Sequence, residues 1–153
     1  MTSITKKLED LKIVLPEAPA PVGSYVAAKK VNGFIYISGQ LPIDTDGKMI
    51  KGRVGKDLDL EQAQKASRLC VINILSQLKK AVNGDLDKVK NCVKITGFVN
   101  STDDFIDQPK VINPASEILS GVFGDSGKHA RAAVSTNSLP LGAAVEIDAI
   151  FEI

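Results

Sequence analysis

The closing stretch GKHARAAVSTNSLPLGAAVEIDAIFEI carries the chain's only histidine, His129, with Arg131 two residues later. It also places Glu146 and Asp148 inside an otherwise apolar strand pattern. A guanidinium at a strand start can grip a carboxylate through two parallel hydrogen bonds, with a charge that survives burial. A nearby carboxylate can hold and polarise a water as a general base. A structural Arg–Glu ion pair, or two solvated side chains, would use the same residues. Alternation sets Arg131, Ala133 and Ser135 on one face of ARAAVST. In the last strand Val145, Ile147, Ala149 and Phe151 form one face. Glu146, Asp148, Ile150 and Glu152 form the other, less apolar face, where a site would lie. On this reading the polar face of the two terminal strands floors a cleft and carries both Arg131 and Glu146.

Other candidates surround this pair. Ser38-Gly39 interrupts a strand run, and a glycine there suits either close approach of a ligand or a β-bulge. Tyr25, after Val22-Gly23-Ser24, offers a hydroxyl or simply the first core ring of its strand. His129 is placed for acid–base chemistry or as a turn residue beside a Gly-Lys loop. The sequence has no GxGxxG, Walker loop, GxSxG or HExxH, so phosphate cradling and the common hydrolase chemistries lack support. Cys70 and Cys92 are isolated, without CxxC or paired His spacing, which reads as two reduced, buried thiols and no metal site.

The elements that must position these residues fit one domain, 1–153, with 1–15 as an N-terminal extension. A net charge of +1 argues against nucleic acid and anionic membranes as partners. No apolar run approaches the roughly 20 residues needed to span a bilayer. The N-terminus lacks the apolar core of a secretory signal, so a cytoplasmic protein is expected. TKKLEDLKI suits one or two helical turns, and the proline-rich LPEAPAPVGSY an extended connector. Strands are expected near 25–31 and 34–43, turned by Asn32-Gly33. Asp59 with Gln62 forms a capping box for a long helix over 60–82, ended by Asn83-Gly84. A strand at 90–100 follows. Ser101-Thr102 then caps a helix over about 103–122 that Pro109 and Pro114 break or kink. The last two strands join at Leu139–Gly142, giving hairpins at both ends. The order β-β-α-β-α-β-β predicts an α+β sandwich, with two helices packed on one face of a mixed sheet.

The runs PAPVGSY, IYISGQLPID, VINPAS and HARAAV…LP…VEIDAI resemble, in this order, the RidA/YjgF/YER057c family, formerly the endoribonuclease L-PSP family. The similarity covers about residues 16–153, and Arg131, Leu139, Pro140 and Glu146 keep the spacing of its ending without a gap. The resemblance implies a chorismate-mutase-like fold assembled as a homotrimer, with a barrel-like centre, helices outside and clefts between subunits. It implies hydrolytic deamination of 2-enamine/2-imine intermediates of amino-acid metabolism to 2-keto acids and ammonia, with no cofactor and no metal. In the family's pattern Arg131 takes the substrate carboxylate and Glu146 positions the attacking water. Ala133 offers its carbonyl to that water, Tyr25, Ser38 and Gly39 line the cleft, and Asn113 matches the asparagine of the second helix. The chain departs from the family in Gly23-Ser24-Tyr25, where Gly-Pro-Tyr is common, and in Ser116, where an aromatic residue is common. It is also longer than the compact members, as in a distinct subgroup. A non-catalytic carboxylate-binding protein using the same cleft, or an endoribonuclease or translation inhibitor, are the alternatives.

Overall fold

Asn32 and Gly33 both take positive φ, 48° and 81°, the backbone that a two-residue hairpin turn requires. They reverse β1 (Ala28–Val31) into β2 (Phe34–Gln40), paired in antiparallel register from Val31–Phe34 outward. The fold is that of a computed structural model, which describes residues 3–153. After β2 come α2 (Leu60–Ala81), β3 (Asn91–Asn100), α3 (Gln108–Phe123), β4 (Ala130–Thr136) and β5 (Val145–Glu152). A short α1 (Ile4–Asp10) precedes them, its first turn capped by Ser3, whose hydroxyl accepts from the Lys6 N–H. The Asp59/Gln62 capping box is formed at α2, and Asn83 and Gly84 turn away at its end with positive φ.

β1 is shorter than its apolar run, because Gly23–Tyr25 folds into a tight turn in which the Val22 N–H donates to the Tyr25 hydroxyl at 3.2 Å. β2 likewise stops at Gln40, where its register against β5 shifts between Ile37 and Gln40.

The sheet order is β1-β2-β5-β3-β4, which corrects the expected C-terminal hairpin. β4 lies parallel to β3 at the sheet edge, reached through the α3 crossover that parallel pairing demands. β5 therefore cannot pair with β4. It crosses to the other side of β3 and inserts, antiparallel, between β3 and β2. The link between them turns at Pro140–Gly142, with Leu141 at φ 59°.

Along β5 burial alternates strictly. Val145, Ile147, Ala149 and Phe151 face α2 and α3 and form the core with Ile35, Ile95, Ile74 and Leu119. Among the described residues no layer covers the opposite face of the sheet. Tyr36, Val31 and Val134 lie on it at 48%, 45% and 44% exposure.

α3 runs unbroken from Gln108, against the expectation of a kinked helix from 103. Pro109 stands in the first turn, where no N–H partner is needed. Pro114 lies inside the helix and leaves the Lys110 carbonyl without its usual donor. Gln64 of α2 supplies one, Nε2 donating at 2.9 Å. Ser101 and Thr102 do not cap the helix. Ser101 donates to the Ser135 hydroxyl and Thr102 to Asp104.

Close seating of α3 on β3 depends on Gly97, where a Cβ would stand 2.5 Å from Ile112 Cδ1. Gly97→Ala is expected to cost about 1–3 kcal/mol by overpacking. The check is a lower urea midpoint at unchanged slope.

Candidate functional site

The chemistry-bearing residues fall into two groups, on opposite faces of the sheet. Pairing sets the faces. Arg131 of β4 is level with Ile95 of β3, and Ile95 with Ala149 of β5, so all three side chains point to the helical layer. Glu146 is level with Phe98, and Phe98 with Val134, on the uncovered face. The expectation that one polar face carries both Arg131 and Glu146 is therefore corrected. Alternation fixes parity within each strand, and the interposed β3 sets the parity between them.

Glu146 lines a cleft of about 470 Å³ with Tyr25, Gly39, Gln40, Gln77, Leu141 and the proline connector at Pro19 and Pro21. A Cβ at Gly39 would overlap the Glu146 carboxylate. The glycine thus lets the carboxylate rest on bare backbone inside the bulge. Burial, and then the charge of Asp148, hold the Glu146 carboxyl above its ordinary pKa. Ser38 is turned away: its hydroxyl donates to the Val26 carbonyl at 2.7 Å.

Polar side chains of α2 fasten the walls. Asn73 Nδ2 donates to the Leu41 and Ile43 carbonyls, each at 3.0 Å. Gln77 Nε2 donates to the Pro19 carbonyl at 2.6 Å and reaches Gln40 Oε1 at 3.5 Å. The extension thus packs α1 beside α3, while the connector after it comes across to wall the cleft. Gln40, Gln77, Pro19 and Leu141 were not among the expected site residues. The available signal was Asn73 and Gln77, one helical turn apart on a buried apolar stripe.

Arg131 sits at the other group, against α3. Its Nη1 donates to Asn113 Oδ1 at 2.9 Å and to Ser116 Oγ at 3.2 Å. Both Nη1 hydrogens are then used. The Nε–Nη2 edge of the fork makes no hydrogen bond among the described residues, and that edge matches a carboxylate. Asn113, Ser116, Glu117 and Ser120 line a shallow open hollow beside it. Ala133 follows on the same face of β4, level with Gly97 and packed against the core. His129 approaches Ser116, Nε2 to Oγ at 2.9 Å.

Cys70 and Cys92 are free and buried, and among the described residues no helix is long and apolar enough to cross a membrane.

Comparison with known proteins gives a family to this arrangement. Residues 6–152 match the family model described as "YjgF/chorismate mutase-like, putative endoribonuclease". Protein TCP17 of Trypanosoma cruzi is 42% identical over 151 residues, covering 98% of this chain and 94% of that one. The 2-iminobutanoate/2-iminopropanoate deaminase of Mus musculus is 34% identical, covering 98% and 93%. Among solved structures, a protein of unknown function from Agrobacterium tumefaciens superposes with a TM-score of 0.90 at 45% identity, covering 99% of this chain and 94% of that one. The α+β sandwich, the sheet with one uncovered face and the HARAAV…LP…VEIDAI ending are thus those of a RidA/YjgF protein, and this chain belongs to the YjgF/chorismate mutase-like family.

Proposed function

We propose that the protein hydrolyses small 2-enamine and 2-imino acids to 2-keto acids and ammonia, at clefts shared between copies in a homotrimer. The observation that carries this reading is the Arg131 fork. One nitrogen is anchored by Asn113 and Ser116, and the carboxylate-matching edge is left open. Glu146 lies on the opposite face of the same sheet, so one chain offers two half-sites that a neighbouring copy can bring together. The mouse relative, a 2-iminobutanoate/2-iminopropanoate deaminase at 34% identity, supports the substrate class.

The chemistry asks little of the protein beyond placement. A planar 2-imino acid presents a carboxylate to Arg131 and an electrophilic carbon to water. Water adds across C=N, putting its hydroxyl on carbon and a proton, relayed by Glu146, on nitrogen. The same carboxyl then takes the hydroxyl proton as the C–N bond breaks and passes it to the departing ammonia. A carboxyl held above its ordinary pKa is suited to both directions. Tyr25, Gly39 and the apolar wall at Leu141 enclose the substrate's side chain, and Ala133 offers a main-chain carbonyl to the water. The exposed Tyr36, Val31 and Val134 form the face that two further copies cover. A cytoplasmic setting fits the free, buried thiols.

An amino-acid oxidase can supply 2-iminopropanoate or 2-iminobutanoate in situ, with semicarbazide competing for the imine. Wild type is expected to lower semicarbazone yield, and Arg131→Ala and Glu146→Gln to lose about 100-fold or more in kcat/KM. Gly39→Ala, which displaces the carboxylate rather than removing it, is expected to lower kcat while Tm stays within a few degrees. If wild type binds 2-oxobutanoate yet leaves the imine untouched, carboxylate binding without catalysis takes the deaminase's place.

The pH profile has a defined sign. Water activation needs ionised Glu146, whose pKa is raised. The rate therefore falls on the acid side at a pH above the ordinary glutamate pKa. That limb is expected to vanish from the residual rate of Glu146→Gln.

Light scattering is expected to give three times the chain mass of 16.3 kDa. Arg131→Ala and Glu146→Gln chains, each inactive alone, should complement when refolded together. With each site drawing Arg131 from one copy and Glu146 from the next, an equal mixture regains about a quarter of wild-type activity. No recovery would mean that both residues act within one chain.

A further inference from the structure

His129 has no part in the chemistry above and Ser116 enters it only as an anchor of Arg131, yet the two side chains are linked to each other and to the backbone in a defined way. His129 Nδ1 lies 2.6 Å from the Gly127 carbonyl oxygen. A carbonyl can only accept, so Nδ1 carries the proton, and in the neutral ring Nε2 is left as an acceptor. The Ser116 hydroxyl, 2.9 Å from Nε2, then donates to it. With its hydrogen committed there, Ser116 Oγ presents lone pairs to Arg131 Nη1, which donates to it at 3.2 Å.

The anchor of this relay is itself rigid. Gly127 is buried, and a Cβ there would collide with the Leu119 carbonyl of α3. The backbone that supplies the carbonyl is pressed directly against the helix that carries Ser116.

From this geometry we infer that His129 and Ser116 are positioning residues for Arg131: His129 fixes the rotation of the Ser116 hydroxyl so that its oxygen accepts from Nη1 and holds the fork's other edge open. Without His129 the serine hydroxyl is free to turn back on its own helix and donate to the carbonyl four residues earlier. Arg131 then keeps Asn113, which is solvent-exposed, and a serine oxygen whose lone pairs are no longer aimed at it, so its fork can rotate. The polar residue at position 116 thus serves the arginine and not the substrate's side chain.

This inference rests on the reading that Arg131 receives a carboxylate, and the test separates the two. His129 is the only histidine, so in untagged protein its ring nitrogens are the only imidazole signals in a long-range 1H–15N spectrum of the neutral ring. Protonated Nδ1 with bare Nε2 is expected. In Ser116→Ala the Nε2 signal should move while Nδ1 stays protonated. The opposite tautomer overturns the relay.

Affinity for 2-oxobutanoate, read by calorimetry, and KM for 2-iminobutanoate supply the second readout. Ser116→Ala and His129→Ala are each expected to weaken both by about 10-fold, the loss of one hydrogen bond to a charged group, with kcat within about twofold. The double variant should be no worse than Ser116→Ala alone, because His129 acts on Arg131 only through the Ser116 oxygen. His129→Gln, whose amide oxygen can replace Nε2, should recover most of the affinity.

Additive losses, or variants that bind as wild type does, overturn the inference while leaving a deaminase intact. Wild type that binds the keto acid without turning over imine removes the deaminase reading and leaves the relay standing. Wild type that binds no keto acid at all removes Arg131's ligand and overturns both.

Discussion

The register of β5 is the constraint on which the rest of the molecule depends. A strand between two others must bury one face completely, and side chains alternate with a period of two. Val145, Ile147, Ala149 and Phe151 fill the core beneath α2 and α3, which sends Glu146 and Asp148 to the uncovered face. A slip of one residue would put both carboxylates against Ile74 and Leu119 and expose the four apolar side chains. The carboxylate of the candidate site is thus held by the hydrophobic effect acting on its neighbours rather than by any ion pair of its own. The local Gly39 bulge completes the seat by leaving room for the carboxylate on the adjacent strand.

Much of the fold was legible because single residues mark its ends. Asn32-Gly33, Asp59 with Gln62, and Asn83-Gly84 each specify a backbone conformation or a cap, and each is found in use. The helical period of 60–81 and the alternation of 145–152 needed no further information. The errors lay where a local rule had to be extended across strands. Joining the last two strands as a hairpin assumes that neighbours in sequence pair in space. The α3 crossover makes β4 the parallel partner of β3, and β5 takes the gap between β3 and β2. Alternation sets the faces of Arg131 and Glu146 within each strand, while their relation requires that pairing.

The prolines of α3 teach a second lesson. A proline inside a helix removes one donor and frees one carbonyl, and sequence alone gives that carbonyl no partner. Here Gln64, on a different helix, donates to the freed Lys110 carbonyl, and the helix runs on to Phe123 with its apolar face in the core. A side chain distant in sequence settles a local question. The same holds for Asn73 and Gln77, which look like blemishes on an apolar face until the Leu41, Ile43 and Pro19 carbonyls are seen to need donors. Buried amides of this kind are costly unless paired. Their presence on α2 is explained by the irregular chain they fasten around the cleft.

A division of labour between the two halves of the site follows from where each is mounted. Glu146 is half-buried on a strand whose backbone is bonded on both sides, so its carboxylate is placed by the sheet. Arg131 is mounted on an edge strand, and its long side chain must be steered by contacts to α3 instead. An arginine carries roughly 2 kcal/mol of rotamer entropy, enough to blunt a binding site unless neighbours remove that freedom beforehand. Asn113 and Ser116 do so through a single nitrogen, which restrains the guanidinium without occupying the Nε–Nη2 edge. Preorganisation of the carboxylate grip is thus a property of α3 and its neighbours. Pro114 follows Asn113 directly and precedes Ser116 by two residues, so the donor Gln64 provides to Lys110 helps hold the helical turn that carries both anchors.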